Sequence, residues 1–167
     1  MPMIVVVLGL PGSGKSYFAE KLAGRVGAVY LSSDQIRNSL GARGKYSEHD
    51  KMLIYNAMAE KTGQALNAGK DVVVDATFYQ SVMIDLFVGL AKTLGTPIWF
   101  IRIDADESLI KLRLAEPRKD SEADYDVYLK IKEQFEGLQV PHITLKSETD
   151  NVNLMLAQAI DYIGVHE

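Results

Sequence analysis

The sequence predicts one α/β domain of three layers, helix on sheet on helix, around five mostly parallel strands. Short apolar runs alternate with amphipathic stretches along the chain, one glycine-rich segment joins the first run to the first helix, and acidic residues follow two later runs. Strands alternating with helices connect through right-handed crossovers, so they lie parallel and are covered on both faces.

Met3 to Leu8 is apolar throughout and reads as a fully buried strand. Ser16 to Arg25 follows with Phe18, Ala19, Leu22 and Ala23 on one helical face. Further strands are expected at Ala28 to Leu31, Asp71 to Val74, Pro97 to Ile103 and His142 to Leu145. Helices are expected at Asp34 to Leu40, Glu48 to Asn67, Gln80 to Thr93, Glu107 to Leu114, Glu122 to Glu136 and Asn151 to Ile163, the last ending at Gly164. The polar stretch Glu116 to Ser121 reads as an insertion, and a short helical lid is expected at about 113–125.

Between the first strand and helix, Gly9-Leu10-Pro11-Gly12-Ser13-Gly14-Lys15-Ser16 matches G-x-x-x-x-G-K-S/T, the phosphate-binding P-loop. Gly9, Gly12 and Gly14 permit turns and close backbone approach that a Cβ would forbid, so successive N–H groups can ring an anion at the helix start. Lys15 then reaches the β- and γ-phosphates, and the Ser16 hydroxyl ligates the Mg²⁺ bridging them. Pro11, Ser13 and Tyr17 complete the expected nucleotide-binding residues. The fold expected is that of P-loop NTPases, with strand order 2-3-1-4-5, and ATP with Mg²⁺ is the expected ligand.

A P-loop does not separate a kinase from a switch. Ser32-Ser33-Asp34-Gln35-Ile36-Arg37 follows the second strand and puts Asp34 at the carboxyl edge of the sheet, where ligands of open α/β folds bind. A carboxylate there can take the proton of an acceptor hydroxyl, and Arg37, three residues on, shares its helical face and can hold an anionic group. The plainer alternative is that Ser33 or Asp34 caps a helix beginning at Gln35. Asp75, after Val72-Val73-Val74, is the candidate acid beside Mg²⁺, although aspartate is common where strands turn into loops. Thr77 reads as an acceptor contact or a helix cap. Arg113 and Arg118 are candidates to neutralise charge during transfer, with ordinary solvated arginines as the alternative. Asp120, Glu122, Asp124 and Asp126 read as an acidic helix start.

These segments together resemble the small P-loop kinases that include polynucleotide 5′-kinases and zeta-toxin-like kinases. That resemblance implies a general base at Asp34, an acceptor-phosphate contact at Arg37 and nucleotide contacts at Arg113 or Arg118. The chain departs from many relatives at Phe78, where they carry Asn, and at Tyr17, where they carry Thr. A ring at 78 either stacks on the acceptor or covers the core.

The 167 residues suit one domain spanning 1–167, and 47% hydrophobic content excludes a disordered class. The start lacks a signal-like segment and no run reaches membrane-spanning length, so a soluble cytoplasmic protein is expected. With no cysteine there is no disulfide or thiolate metal site, and His49, His142 and His166 are scattered. A net charge of −4 opposes a long nucleic-acid footprint, while Lys15, Arg37, Arg43, Lys45, Arg113, Arg118 and Lys119 can still converge on a short 5′ end. The expected function is transfer of the ATP γ-phosphoryl group to a hydroxyl of a small metabolite, nucleoside or nucleotide. A polynucleotide 5′-hydroxyl kinase is the alternative, and a nucleotide-hydrolysing switch the alternative of another class, opposed by the absence of an Asn-Lys-x-Asp segment. No obligate protein partner is evident. Base recognition is expected near Leu145-Lys146-Ser147 and the lid base.

Overall fold

The computed structural model describes residues 2–41, 47–116 and 124–164. In chain order the elements are β1 (Ile4–Leu8), α1 (Lys15–Val26), β2 (Val29–Ser32), α2 (Ser33–Ser39), α3 (Glu48–Asn67), β3 (Val72–Ala76), α4 (Ser81–Leu94), β4 (Ile98–Asp104), α5 (Glu107–Leu114), α6 (Tyr125–Gln134), β5 (Ile143–Lys146) and α7 (Val152–Ile163). The five strands form one sheet of order β2-β3-β1-β4-β5, and every pairing is parallel.

Alternation within the strands divides the core in two. Ile4, Val6, Leu8, Val72 and Val74 turn to one face, where Tyr55 and Met58 of α3 and Met83 and Phe87 of α4 cover them. Val5, Val7, Val73, Ile101 and Ile103 turn to the other, against Phe18 and Leu22 of α1 and Met155 and Leu156 of α7. Because both faces are covered, β1 has no exposed residue, which is why its sequence is a continuous apolar run. Each fully buried Phe or Leu of these layers contributes roughly 1.5–3 kcal/mol.

Helix ends follow local chemistry. Ser47 accepts from the Asp50 N–H at 3.1 Å and starts α3. Gly27, Gly95 and Gly164 stop α1, α4 and α7 in the left-handed conformation. Asp124 caps α6 by accepting from Val127 N at 3.0 Å, with Asp126 in its first turn, as the acidic pattern there implied.

Several boundaries differ from expectation by a residue or more, and two of the differences fall on candidate site residues. Helix α2 begins at Ser33, and its cap is Ser32, whose Oγ accepts from Gln35 N at 3.5 Å, so neither Ser33 nor Asp34 is the cap. Strand β3 runs two residues past Val74, so Asp75 is a buried strand residue and not the first residue of a loop. Arg118 and the expected lid between 117 and 123 lie outside the described residues, as do Arg43, Lys45, Lys119, Asp120 and Glu122. Among the described residues, no helix is long and apolar enough to cross a membrane.

Candidate functional site

Where β1 ends, the chain must turn tightly against its neighbours, and the glycines supply the room. A Cβ on Gly9 would meet the Ile103 carbonyl oxygen at 2.5 Å, and one on Gly12 would meet Leu114 Cγ at 2.9 Å. Gly14 has φ +93°, and a Cβ there would lie 2.8 Å from Ser147 Oγ. Gly14 is also the N-cap of α1, with no side chain capping the helix, so the first N–H groups of α1 are left for an anion.

Pro11 is buried in the turn, Ser13 is 1% exposed, and its Oγ has no hydrogen-bond partner among the described residues. Lys15 is 8% exposed, a burial that an ammonium tolerates when an anion completes its environment. Ser16 and Tyr17 are exposed at the start of α1.

A cavity of about 450 Å³ adjoins the cradle, lined by Gly12 to Phe18 (without Ser13), Arg113, Glu116, Ser147 to Val152 and Met155. Arg113 closes one side. Its Nη1 donates to Gly12 O at 3.2 Å, and its Nη2 donates to Ser147 Oγ at 3.0 Å and Glu148 O at 3.3 Å. Partial burial lowers the pKa of this guanidinium from its ordinary value. Of the three residues expected to read a base, only Ser147 lines the cavity. Leu145 is in the core, and Lys146 pairs with Asp106 at 3.0 Å on the surface.

On the opposite side of the cradle stands Asp75, 1% exposed, level with Val7 of β1 and Ser32 of β2. Its Oδ2 accepts from the Tyr30 hydroxyl at 2.6 Å, while Oδ1 has no partner among the described residues. Burial and the Asp75 carboxylate push the Tyr30 pKa well up, and the hydroxyls of Ser32 and Ser16 beside the phenol oppose this in part. A buried carboxylate oxygen with no partner suits a hydrated Mg²⁺ held jointly with phosphate. No group of three or more His, Cys, Asp or Glu among the described residues could hold a metal ion alone.

Beyond β2, the Asp34 carboxylate lies 3.5 Å from Arg37 Nη1, with side-chain exposures of 28% and 10%. Sequence reasoning missed what packs around this pair. Lys51 of α3, 16% exposed, donates to the Tyr79 hydroxyl at 2.8 Å and lies 3.9 Å from the exposed Glu48. Burial lowers the Lys51 pKa, Glu48 opposes the change, and Arg37 is close enough to reinforce it. Burial and Glu48 raise that of Tyr79. Thr77 Oγ1 is 3.4 Å from the Tyr55 hydroxyl, which also accepts from Phe78 N at 3.0 Å. Phe78 itself is 2% exposed and belongs to the core, meeting Tyr55 and Phe87 edge-on.

The site thus has a phosphate cradle at its centre, a cavity on the β4–β5 side, and an acid–cation cluster on the β2–β3 side. Solved structures share this architecture. A sugar kinase from Janibacter sp. superposes with a TM-score of 0.77 at 18% identity, over 99% of this chain and 96% of that one. The APS kinase CysC of Mycobacterium tuberculosis, solved with AMPPNP and APS, gives 0.74 at 17% identity over 98% of each chain. Kti12 of Chaetomium thermophilum, in complex with ADP-AlF3, gives 0.73 at 19% identity over 96% of this chain and 97% of its own. At these identities the likeness is one of fold. The sequence family is shown by a separate match over residues 4–138, and on it the chain belongs to the AAA_33 family, described as an AAA domain.

Proposed function

We propose that the protein is an ATP-dependent kinase whose acceptor is a small hydroxyl compound carrying an anionic group, such as a phosphorylated or carboxylated metabolite or a nucleotide. The observation that carries this reading is the Asp34–Arg37 pair, 3.5 Å apart at the carboxyl edge of the sheet that also bears the cradle. A hydrolytic switch needs no carboxylate and arginine poised there together, whereas a transferase needs a proton acceptor and a grip on its second substrate.

In this mechanism the acceptor oxygen forms a bond to the γ-phosphorus as its proton passes to Asp34. The bond from that phosphorus to the bridging oxygen breaks, and its electron pair leaves with ADP. Arg37 holds the anionic group of the acceptor by a charge-assisted hydrogen bond, and Lys51 provides a second cation beside it. Lys15 and the N–H groups of the cradle bear on the phosphates, with Arg113 bracing the cradle from the far side. Mg²⁺, when bound with the nucleotide, supplies further charge neutralisation, and Ser16 and Asp75 are the residues that would hold it.

The fold shared with a sugar kinase and an APS kinase supports a small acceptor. A polynucleotide 5′-hydroxyl is the second reading, supported by the resemblance of the Ser32 to Arg37 segment to polynucleotide kinases and opposed by the net charge of −4. The test is a panel of neutral and anionic sugars, nucleosides, nucleotides and a 5′-hydroxyl oligonucleotide incubated with γ-labelled ATP. ATP should be consumed only when an acceptor is present, with label entering an anionic hydroxyl compound. Steady ATP hydrolysis indifferent to every acceptor would overturn the kinase reading in favour of a switch.

A further inference from the structure

We propose that Tyr30 is the positioning residue of Asp75, holding one carboxylate oxygen so that the other, Oδ1, is left for the cation bound with the nucleotide. The proposal rests on the nucleotide-and-metal half of the function above and is independent of the acceptor.

The sheet register brings these groups together. Tyr30 pairs with Val73 and Ser32 with Asp75, and Val73 belongs to the core beneath α1. Residues two apart on a strand share a face, so Tyr30, Ser32 and Asp75 all turn toward α1, the helix whose first turn carries Ser16. The consequence is a 2.6 Å hydrogen bond from Tyr30 to Asp75 between strands that are adjacent in space but 45 residues apart in sequence.

Two features of that bond point beyond packing. First, it uses one carboxylate oxygen only. Oδ2 is occupied and Oδ1 is left without a partner in a residue that is 1% exposed. A buried carboxylate oxygen with no donor is costly, so a site built this way is completed by something it binds. Without the phenol, the carboxylate could turn either oxygen inward. With it, rotation is fixed and Oδ1 faces outward from the bond.

Second, the donor is itself fixed in place. The Tyr30 ring packs against the core layer beneath α1, so the direction of its hydrogen bond to Asp75 is set by the fold. Outer partners of this kind typically alter metal affinity by about 10–100-fold.

The test measures Mn²⁺ binding to the AMPPNP complex by electron paramagnetic resonance, with AMPPNP affinity in EDTA as the metal-free control. Tyr30→Phe should weaken Mn²⁺ binding by about tenfold or more while the metal-free affinity stays within about twofold of wild type. A variant that binds Mn²⁺ as tightly as wild type overturns the proposal while leaving nucleotide binding and transfer untouched. A wild-type protein that retains no Mn²⁺ with the nucleotide overturns both this proposal and the metal assignment it rests on. Should Tyr30→Phe fail to fold, the wild type carrying ¹³C-tyrosine decides the matter. Its Tyr30 ring signal must broaden when Mn²⁺ replaces Mg²⁺ in the AMPPNP complex, and a signal that stays sharp removes Tyr30 from the metal site.

Discussion

Arg113 Nη1 donates to the Gly12 carbonyl oxygen at 3.2 Å, which ties α5 to the glycine cradle across 101 residues of sequence. The same guanidinium reaches Ser147 and Glu148 in the loop after β5, so one side chain braces the two walls of the cavity. Hydrogen bonds from a charged donor are worth about 1.5–3 kcal/mol each when fully made, so Arg113→Ala should weaken AMPPNP binding by at least about tenfold in calorimetry. Arg113→Lys should recover only part, because an ammonium lacks the planar fork that reaches both walls. Unchanged nucleotide affinity with a reduced kcat would show instead that Arg113 acts only in the transition state.

Asp34 is freed from the helix-capping role by Ser32 and is held by Arg37, an arrangement that suits the base proposed above. Asp34→Asn keeps the shape and removes the proton acceptor. Transfer to the acceptor found in the panel should fall by about 10² or more while AMPPNP affinity stays near wild type. Retained transfer at the wild-type rate removes Asp34 from catalysis. Loss of nucleotide binding in parallel would make it structural.

Lys51 gives the acceptor side a pH dependence with a definite sign. Its folded pKa lies below the ordinary 10.5 because burial disfavours the ammonium, with Arg37 adding to the effect against Glu48. The cation is present below that folded pKa and lost above it, so KM for an anionic acceptor should start to rise at a lower pH than an ordinary lysine would give. Lys51→Met should raise KM by roughly tenfold at neutral pH, the scale of one charge-assisted bond, and remove that alkaline limb. Stability should move the opposite way. The unfolded lysine binds its proton more tightly, so the wild type gains stability as pH rises from the folded pKa toward 10.5, and Lys51→Met loses this gain. Identical KM profiles in the two proteins would place the acceptor's anion elsewhere.

Different parts of this site were legible to different degrees, for physical reasons. The cradle is local: its spacing and flanking elements lie in consecutive residues, so Gly9 to Ser16 could be read directly. The parallel sheet and its covering helices followed from alternation, the strand order from the fold expected of a P-loop, and the buried strands from their uninterrupted apolar runs. Asp75 was recognised, but its strand was ended too early because a charged residue interrupts the apolar pattern. The interruption is accommodated by Tyr30, a partner that only strand pairing supplies. The Lys51–Tyr79 contact likewise spans 28 residues and joins α3 to the segment after β3. No periodicity within either segment encodes it. The alternative that Ser33 or Asp34 caps α2 gives way to Ser32, because all three are good caps and only the backbone conformation chooses among them.

Phe78 holds the least ordinary backbone conformation in the site. Its φ is +48°, the only positive value among the described non-glycine residues, at a cost on the order of 1–3 kcal/mol. The ring supplies the compensation, packed edge-on between Tyr55 at 5.0 Å and Phe87 at 5.3 Å, while the N–H donates to the Tyr55 hydroxyl. At 2% exposure it has no face left to stack on an acceptor. Phe78→Ala should therefore cost about 3–5 kcal/mol in urea unfolding. Phe78→Gly removes the same ring but relieves the left-handed strain, so it should be no worse than alanine despite glycine's larger unfolded-state entropy. A stacking role predicts the reverse of this pattern: near-normal stability in both variants and a raised KM for the acceptor. A glycine variant clearly less stable than the alanine one would show that the strain is small and that the buried ring alone sets the cost.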